Sequence, residues 1–538
     1  GVTNVERAYP LGYGISTGNQ AVIDIADLIE IVIDDPRVRV VGLYVEGLID
    51  GRRFGTALAK ALKKKIPVVL LRGGGTQAAA QRSLSHTGTL AVPNDFWEAL
   101  SARYAIVEVD SPKQLVETTK LLAVSGVLSG PKVFFTTYSG AACTLLAEQA
   151  PANGLELPLV TDTNYQKIRP TLPDVVTISN PFDLALPWQS DALVKMDDAQ
   201  SITQCLLDAT CGSVDAIVFM LDIPRAGDER DTIWLPAVEA MIEVAEKTGL
   251  PCVVASLLPE GLEPSVREHA LRNGVAPLMG LSECVRALAG SVKYAADSRV
   301  ARHGMEAIPD LAAGESPCSP APLDEWHSRE ALKPYGVVFP NAWSGGWEEA
   351  VPAADNIGYP VVVKALSRHI PHKRQAGGVR LSLYDGSAVR MAIHGIRDDV
   401  FRRVPGLIID KFLVEEMIRD VEMELIIGIK RHPTLGTALL IGRGGTAVET
   451  LGSYVLVLLP ATQRELNFAI SNLNLTLAPG VRGRLMAMVR AVEAYALANP
   501  NTLSELDLNP VVVGQNGTVT AVDALIISGV DSANESPV

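Results

Sequence analysis

Short apolar runs that alternate with helical segments are the feature that most constrains the fold of this chain. Residues 38–45, apolar apart from Arg39, and residues 66–71 are runs rich in Val and Leu, and an Ala- and Leu-rich helical segment, residues 55–65, separates them. Strands that are apolar on both faces and joined by helices are typical of parallel sheets covered on both sides. The same pattern returns in three later runs, residues 132–135, 216–221 and 251–255. The sequence therefore predicts two successive α/β domains with parallel sheets.

The texture of the sequence changes after about residue 298. Residues 299–322 are rich in Pro, Ala, Gly and Ser without a hydrophobic period, which predicts a linker. From Leu323 onward the pattern is one of short strands interrupted by Gly, and it indicates an α+β nucleotide-binding module. Those strands are predicted at residues 359–364, 378–383, 422–429, 437–441 and 519–523. The predicted divisions are residues 1–128, 129–298, 299–322 and 323–538.

Composition excludes several classes of protein. The 538 residues suffice for three or four domains at roughly 100–200 residues each. The balance of 47 basic against 61 acidic residues gives a net charge of −14, which argues against a nucleic-acid partner. Six Cys without CxxC or metal spacing make a disulfide framework or a zinc site improbable. With no signal peptide and no apolar run of about 18 residues, we expect a cytoplasmic protein that does not span a membrane.

One histidine lies in a loop suited to phosphate. Residues 83–88 read Ser-Leu-Ser-His-Thr-Gly, so small residues with hydroxyl and backbone donors surround His86. Such a loop at a helix N-terminus favours anions, and a neutral imidazole is a competent nucleophile toward a phosphoryl group. Glu46 ends the preceding strand at the carboxyl edge, where open α/β sheets place their sites, and could orient the imidazole. An isolated His is more often a satisfied polar residue, but these neighbours favour phosphoryl chemistry at His86.

A basic, Gly-containing loop in the C-terminal module is a second phosphate candidate. Lys364 ends a predicted strand, and residues 369–379, with His372, Gly377 and Gly378, open into the next strand. Loops of this kind can cover phosphates with backbone N–H groups and positive charge. The alternative is that Lys364 reaches solvent and that the two glycines form a plain turn.

Acidic residues near the C-terminus predict a cation site. Glu505, Asp507 and Asn509 alternate with apolar residues, so they share one face of a strand. Asp523 follows across a predicted hairpin. Oxygen ligands converging from paired strands suit Mg²⁺ that carries the phosphates of a nucleotide, although solvent-facing acids on an edge strand would show the same pattern. Upstream, residues 412–417 have the look of an apolar hinge whose backbone could hold an adenine.

Taken together, these motifs resemble the NDP-forming acyl-CoA synthetase superfamily, which includes ADP-forming acetyl-CoA synthetase and succinyl-CoA synthetase. The resemblance rests on residues 85–88, 361–364, 372–379, 442–445 and 505–510. It implies two flavodoxin-like succinyl-CoA-ligase-type domains with parallel sheets, followed by an ATP-grasp domain. The implied reaction converts an acid, ATP and coenzyme A into acyl-CoA, ADP and phosphate through an acyl phosphate.

The resemblance also implies roles for individual residues. His86 would be the phosphohistidine, Glu46 would steady it on the acyl side, Asp507 would do so on the ATP side, and His372 would join the relay. The residues implied in nucleotide and metal binding are Lys364, Gly377 and Gly378 for the phosphates, Glu415, Glu416 and Met417 for the adenine, Glu424 for the nucleotide, and Asn509 with Asp523 for Mg²⁺.

The chain departs from the family pattern in two places. It begins inside the first ligase domain, so the CoA-binding Rossmann-like domain of the family is expected outside this chain or on a separate subunit. Residues 451–454 read Leu-Gly-Ser-Tyr where the family leads us to expect an Asp, which puts one ATP-side detail in doubt. By analogy with the family we expect a homodimer, or a complex with a CoA-binding subunit, that acts on a small carboxylic acid.

The acyl pocket leaves alternatives open. Asn180 and Asp183 match the Asn-Pro-x-Asp turn that the family places near the substrate. Trp188 and Glu229 resemble a pair in the ATP-dependent dimethylsulfoniopropionate lyases of the superfamily, where the Trp holds a sulfonium group and the Glu removes a proton. That activity would give acryloyl-CoA and dimethyl sulfide; the plain alternative is a core Trp and a solvated Glu. A regulatory homologue of the protein-acetyltransferase type is a third possibility, which the presence of His86 disfavours.

Overall fold

The computed structural model describes most of the chain. The described residues are 7–73, 92–172, 176–184, 198–212, 214–223, 234–302, 311, 318–370, 372–444, 454–477 and 480–530. Three predicted site residues, His86, Trp188 and Glu229, lie outside these ranges. The chain forms two compact units: an N-terminal one made of most residues up to 306, and a C-terminal one made of residues from 307 together with the short segments 50–52 and 93–99.

The N-terminal unit begins with a parallel sheet of three strands in the order β1-β2-β3. The strands are β1 (Val41–Val45), β2 (Val68–Arg72) and β3 (Val107–Val109). The helices of this part are α1 (Ile25–Val32), α2 (Gly51–Lys63), α3 (Asn94–Tyr104) and α4 (Pro112–Val124). Residues 68–71 are buried, as expected for a strand covered on both faces.

A second parallel sheet follows, with five strands in the order β5-β4-β6-β7-β8. Its strands are β4 (Val133–Thr137), β5 (Phe182–Asp183), β6 (Ala216–Met220), β7 (Cys252–Ser256) and β8 (Ala276–Met279). Its helices are α5 (Gly140–Ala152), α6 (Asp162–Ile168), α7 (Ala199–Thr210), α8 (Leu235–Thr248), α9 (Pro264–Arg272) and α10 (Leu281–Arg302). Phe134 and Phe135 of β4 enter apolar cores on opposite faces of the sheet. The prediction of buried parallel sheets is confirmed.

Both ends of the predicted linker, residues 299–322, lie in regular elements. Helix α10 continues to Arg302, and Ala301 is buried in the unit. At the other end, β9 (Cys318–Pro322) is a strand that pairs with β19 (Leu525–Val530), the last strand of the described residues. Strand β9 lies at the edge of its sheet, which is the position where a strand tolerates Pro. The Pro-rich composition therefore led to the prediction of a linker at a place where the structure has an edge strand.

The C-terminal unit contains two antiparallel sheets. The smaller has the order β10-β13-β11-β12 and comprises β10 (Ala342–Gly346), β11 (Val361–Ala365), β12 (Val379–Leu383) and β13 (Lys411–Glu416), with helices α12 (Ala350–Ile357) and α13 (Gly386–Arg403). The larger has the order β16-β15-β14-β17-β19-β9, with β18 on β17, and adds β14 (Val421–His432), β15 (Gly436–Arg443), β16 (Tyr454–Leu458), β17 (Leu503–Gly514) and β18 (Val519–Ala521). Its helices are α11 (Glu325–Leu332), α14 (Gln463–Asn472) and α15 (Val481–Ala498).

The two faces of the larger sheet differ in character. Leu425, Ile427 and Ile429 of β14 and Leu506 and Leu508 of β17 point into the apolar core. Because neighbouring residues of a strand point to opposite faces, the residues between them are turned away from that core. That second face carries the polar groups described below. Across the described residues of both units, no helix is long and apolar enough to cross a membrane.

Candidate functional site

The acidic residues of β17 share one face, as the sequence predicts. Glu505 and Asn509 are exposed and Asp507 is partly buried, whereas the intervening Leu506 and Leu508 are in the core. The predicted hairpin is also present, since β18 pairs antiparallel with β17 just before Asp523. The strand therefore presents three polar side chains in a row.

A pocket of about 250 Å³ lies in front of this face. Glu505, Asp507 and Asn509 line one part of it, and Lys430 and Tyr454 line another. The Lys430 ammonium group lies 4.6 Å from the centre of the Tyr454 ring, a cation–π distance. The pocket thus combines carboxylates with a cation, an arrangement that can bind a charged ligand.

The environment of Asp507 brings several predicted residues together. The pKa of Asp507 is raised to about 6, chiefly by burial and in addition by the negative charges of Asp523 and Glu505. A hydrogen bond with Asn509 and the nearby His372 act in the opposite direction. Four residues singled out from the sequence therefore surround Asp507. Clustered carboxylates of this kind are a site that a cation stabilises.

Next to Asp523 lies a buried group of charged side chains centred on two lysines. The Lys364 Nζ atom is 2.8 Å from Oε1 of Glu325 and 2.7 Å from Oε1 of Glu415. The Lys373 Nζ atom is 3.0 Å from Oε2 of Glu325 and 2.9 Å from Oδ1 of Asp523. Lys364, which the sequence singles out, and Lys373, which belongs to the basic loop, thus converge on the carboxylate of Glu325.

A third cation completes the group. Arg329 Nη1 lies 2.5 Å from Oε2 of Glu415, and Nη2 donates to the Pro340 carbonyl at 2.6 Å. We call Glu325, Arg329, Lys364, Lys373, Glu415 and Asp523 the open cluster. Its three basic and three acidic side chains balance in formal charge, which makes their burial tolerable.

The pKa shifts follow from burial and from these neighbours. The pKa of Glu325 is raised to about 7, chiefly by burial and in addition by Asp523, against the opposing effect of Lys364 and Lys373. Burial would also raise the pKa of Asp523, but Lys373 and Lys364 hold it below its usual value. Burial disfavours the ammonium form of Lys364, yet the surrounding carboxylates outweigh that effect and raise its pKa. Both lysines are therefore cations, the state that binding phosphate requires.

The glycine loop between β11 and β12 is a tight turn that presents Lys373. Gly377 has a φ of +74°, and a Cβ there would approach Asp399 Cβ to 2.8 Å, so glycine is required. The Gly377 N–H donates to the Arg374 carbonyl, and the Gly378 N–H donates to the Lys373 carbonyl. Both amides are thus used inside the loop, and a phosphate contact by them stays a prediction.

The predicted adenine segment has a mixed outcome. Glu415 is buried, and its carboxylate belongs to the open cluster. The N–H groups of Glu416 and Met417 donate to the carbonyls of Asn341 and Pro360, at 2.8 and 3.1 Å. An adenine role for these residues stays a prediction, and it would have to use other atoms of the segment.

Glu424 is the remaining predicted nucleotide residue. It is partly buried on β14, and its carbonyl accepts from the Gly444 N–H at 2.7 Å. The contact connects β14 with the start of the Gly turn at residues 442–445. A direct contact with a nucleotide stays a prediction.

In the N-terminal unit, Glu46 lies directly after β1, at the carboxyl edge where the sequence places it. Its Oε1 atom accepts a hydrogen bond from the Tyr44 hydroxyl at 3.1 Å. Gly73 is close by, since a Cβ at that position would lie 3.0 Å from Glu46 Cγ. Gly73 is the last described residue before residues 74–91, which include His86. Glu46 is thus located beside the point where the segment carrying His86 begins.

The predicted acyl-pocket residues differ in their surroundings. Asn180 accepts from the Phe135 N–H at 3.0 Å and donates to the carbonyls of Val133 and Pro158 at 2.9 and 3.1 Å. These bonds give Asn180 a structural role in joining its loop to β4. Asp183 ends β5 near the start of α5, since a Cβ on Gly140 would lie 3.2 Å from its Oδ2 atom. A substrate role for either residue stays a prediction.

Sequence reasoning missed three members of the open cluster: Glu325, Arg329 and Lys373, the last of which lies in the basic loop but has no role of its own in the sequence motifs. Glu325 and Arg329 lie on α11, where the buried positions are Glu325, Ser328, Arg329 and Leu332. This spacing is that of the buried stripe of an amphipathic helix. An acid and a base four residues apart on the apolar side of a helix were the signal that could have identified them.

Comparisons with known proteins agree with this geometry. Residues 320–527 match the ATP-grasp domain family, and residues 3–122 match the succinyl-CoA ligase like flavodoxin domain family. A trans-feruloyl-CoA synthase from an unknown prokaryotic organism is 29% identical over 97% of this chain and 73% of its own length. The β subunit of the ADP-forming acetate–CoA ligase I of Pyrococcus furiosus is 31% identical over 38% of this chain and 91% of its own length.

One solved structure adds a similar match. It is a chain of an acetyl-coenzyme A synthetase 1 of Ca. Korarchaeum cryptofilum in complex with coenzyme A and Ca-AMPCP, with 31% identity over 39% of this chain and 93% of that chain, at a TM-score of 0.36. The sequence matches alone decide the family. The chain belongs to the NDP-forming acyl-CoA synthetase superfamily, which includes the ADP-forming acetate–CoA ligases, and is an acid–thiol ligase.

Proposed function

We propose that this NDP-forming ligase converts a small carboxylic acid, ATP and coenzyme A into acyl-CoA, ADP and phosphate, through a phosphohistidine at His86 and an acyl phosphate. The observation that carries the proposal is the convergence of Lys364 and Lys373 beside the carboxylate face of β17. Two cations next to clustered oxygen donors are what a metal-bound nucleotide requires. This arrangement lies within the part of the chain that matches the ATP-grasp family.

In the first step, an imidazole nitrogen of His86 attacks the γ-phosphorus of ATP. A nitrogen–phosphorus bond forms, the bond to the bridging oxygen breaks, and ADP leaves. Lys364 and Lys373 neutralise the charge that develops on the phosphate oxygens, and Asp507 orients the imidazole by accepting its other N–H. Positioning and charge neutralisation supply most of the catalysis in such transfers.

Magnesium would be held by Asn509 and Asp523 together with oxygens of the nucleotide. Mg²⁺ is commonly bound through one or two carboxylates plus substrate phosphates, and when bound it neutralises phosphate charge. Within the described residues no group of three or more His, Cys, Asp or Glu side chains is arranged to hold a metal ion by itself. The support for a cation here is the pKa of Asp507, which burial and the negative charges of Asp523 and Glu505 raise.

In the second half of the reaction, a carboxylate oxygen of the acid attacks the phosphorus carried by His86. The phosphorus–nitrogen bond breaks and an acyl phosphate forms. The thiolate of coenzyme A then attacks the acyl carbon and releases phosphate, which gives the acyl-CoA. Glu46, which lies beside Gly73, would steady the imidazole during this half of the cycle.

The acid is specified by its class alone, a small carboxylic acid. Relatives are named for an aromatic acyl group and for acetate, so the family name alone does not fix the acid. Trp188 and Glu229, on which a lyase activity would depend, lie outside the described residues, and no observation favours that alternative. A homodimer, or a complex with a CoA-binding subunit, stays a prediction.

Transfer of label from γ-³²P-labelled Mg-ATP to the protein tests the proposal. We expect label that is stable in base and labile in acid on the wild type, and none on His86→Ala. The matched control is His269→Ala, because His269 is a partly exposed residue whose ring nitrogen pairs with Glu239 on the surface of the N-terminal unit.

Two results would contradict the proposal. One is a wild-type protein that binds ATP and takes up no label. The other is a His86→Ala protein that is labelled like the wild type.

A further inference from the structure

We propose that Glu325 is a positioning residue, which fixes the spacing of the Lys364 and Lys373 ammonium groups where they meet the phosphates of the nucleotide. The inference rests on the proposed function, since it takes these lysines as the phosphate-binding cations. Glu325 is assigned no role by the sequence motifs, and it would act through the lysines rather than by touching the substrate.

The carboxylate of Glu325 divides its two oxygens between the two lysines. Oε1 lies 2.8 Å from Lys364 Nζ, and Oε2 lies 3.0 Å from Lys373 Nζ. The lysines come from different segments, since Lys364 belongs to β11 and Lys373 to the glycine loop. A single planar group therefore sets the distance between two cations that the main chain does not hold together directly.

Glu325 is itself well fixed. It is the first residue of α11 and is 3% exposed. Arg329, one turn later, approaches it at 3.9 Å and is anchored by Glu415 and by the Pro340 carbonyl. A side chain held in this way can impose its geometry on the two lysines that it contacts.

The other two carboxylates of the open cluster do not duplicate this role. Glu415 pairs with Lys364 and Arg329, whereas Asp523 pairs with Lys373. Among the ion pairs of the described residues, Glu325 is the acid that contacts both lysines. Without Glu325 the two lysines would share no carboxylate, since Lys364 would keep Glu415 and the Val522 carbonyl as partners and Lys373 would keep Asp523.

The expected consequence is a slower transfer. A displacement of about 1 Å in a group that positions a reacting phosphate can cost roughly 100-fold in rate. Lys373 would retain only Asp523 as a partner, which would also occupy a carboxylate predicted to hold Mg²⁺. Loss of Glu325 therefore affects both the phosphates and the metal.

Two variants separate charge from reach. Glu325→Asp keeps the negative charge but is one methylene shorter, so it cannot span both lysines. Glu325→Gln keeps the length but loses the charge. Glu330→Gln is the matched control on the same helix, because Glu330 is exposed and pairs with Lys333 at 2.5 Å. The measurements are the single-turnover rate of labelling from Mg-ATP, the affinity for Mg-ATP and the melting temperature.

We expect both Glu325 variants to lower the labelling rate of folded protein by about 10- to 100-fold, with Glu330→Gln unchanged. Rescue by Glu325→Asp would show that charge balance alone matters and would overturn the proposal. A lower melting temperature with an unchanged labelling rate of folded protein would reduce Glu325 to a structural role and would also overturn it.

A failure of the proposed function gives a different result. In that case the wild type takes up no label, and the affinity for Mg-ATP decides the role of Glu325. Affinity that is at least about 10-fold weaker in Glu325→Asp than in Glu330→Gln would support the positioning role. Equal affinities would overturn it.

Discussion

Each unit of this protein buries a group of charged side chains, and the two groups differ in a way that separates structure from function. In the N-terminal unit, Arg7, Glu117 and Lys120 form what we call the closed cluster. Lys120 Nζ lies 2.9 Å from Glu117 Oε2, and Arg7 Nη1 lies 2.7 Å from Glu117 Oε1. In the C-terminal unit, the open cluster contains six charged residues around Lys364 and Lys373.

The closed cluster ends on the main chain. Glu117 and Lys120 are both fully buried on α4. Lys120 donates to the Pro277 carbonyl at 2.8 Å, and Glu117 accepts from the Met279 N–H at 3.0 Å. Both partners belong to β8, so the cluster joins α4 to the second parallel sheet. Because Lys120 and Glu117 direct their other hydrogen bonds to the main chain of β8, the role of the closed cluster is structural.

The open cluster ends at a surface. The side chain of Asp523 is 33% exposed, and it interacts with Asp507, which lines the pocket in front of β17. Each lysine of the open cluster contacts two carboxylates, whereas the closed cluster joins one helix to one strand. A buried group of charged side chains is therefore not by itself a sign of a functional site. What distinguishes the open cluster is that one of its members, Asp523, is partly exposed beside a pocket.

The pKa values of the buried lysines in the two clusters also shift in opposite directions. Burial lowers the pKa of Lys120, since Glu117 compensates only in part and Arg7 adds a like charge. Burial acts the same way on Lys364, but Glu325, Glu415 and Asp523 outweigh it and raise the pKa. The number of acidic neighbours decides the sign of the shift.

Breaking the closed cluster has the largest expected effect, and it falls on stability. Glu117→Gln leaves Lys120 buried without a charged partner, and removal of one member of a buried pair costs about 3–5 kcal/mol. We expect the free energy of unfolding of the N-terminal unit to fall by this amount. Urea unfolding followed by amide hydrogen exchange in α4 and β8 measures it.

The control for this prediction is Glu268→Gln. Glu268 pairs with Arg272 on the surface of α9, and such exposed pairs contribute about 0–1 kcal/mol. A loss of similar size in both variants would mean that the closed cluster is not special to the fold. The unfolding of the C-terminal unit serves as an internal reference.

Breaking the open cluster is expected to lower the rate of phosphoryl transfer. Lys364→Met keeps the aliphatic length and removes the charge, so we expect the rate of labelling from Mg-ATP to fall by about 10²- to 10³-fold, or about 2.7–4 kcal/mol. Lys333→Met is the matched control, because Lys333 is exposed, forms an ion pair with Glu330 and lies over the Trp326 ring. Labelling of Lys364→Met at the wild-type rate would remove Lys364 from the phosphate site.

Much of the fold and part of the site could be predicted from the sequence. Apolar runs identified the parallel sheets because strands buried on both faces need continuous apolar residues. Alternation placed Glu505, Asp507 and Asn509 on one face because the strand period is two. Both inferences use local sequence patterns, so they do not depend on which distant segments come into contact.

Other features depend on contacts between distant segments. Glu325 and Lys364 are 39 residues apart, and nothing in either local pattern shows that they meet. Asn180 satisfies the family turn motif, yet its amide is bonded to the main chain around β4. The edge strand β9 forms because β19, near the other end of the module, offers a partner. Pairing of this kind is decided by tertiary structure.

The smallest expected effect is on the pH dependence of stability, and it tests the opposite signs of the two lysine shifts. Because the pKa of Lys120 is lowered on folding, the unfolded chain binds that proton more tightly than the folded protein does. The resulting cost is relieved as the pH rises toward the unfolded value of about 10.4, so the free energy of unfolding increases. For Lys364 the raised pKa stabilises the folded state up to about pH 10.4, and this contribution is lost only above that value.

We therefore expect the N-terminal unit of the wild type to gain stability relative to Lys120→Met between about pH 8 and about pH 10. The contribution of Lys364 to the C-terminal unit stays constant over the same interval, because its ammonium group is charged in both states. Urea unfolding with hydrogen exchange in α4 and β11 at the two pH values measures both units in one sample. Equal gains in the wild type and in Lys120→Met would show that Glu117 compensates fully for burial. The closed cluster would then differ from the open one in exposure alone and not in the sign of its lysine shift.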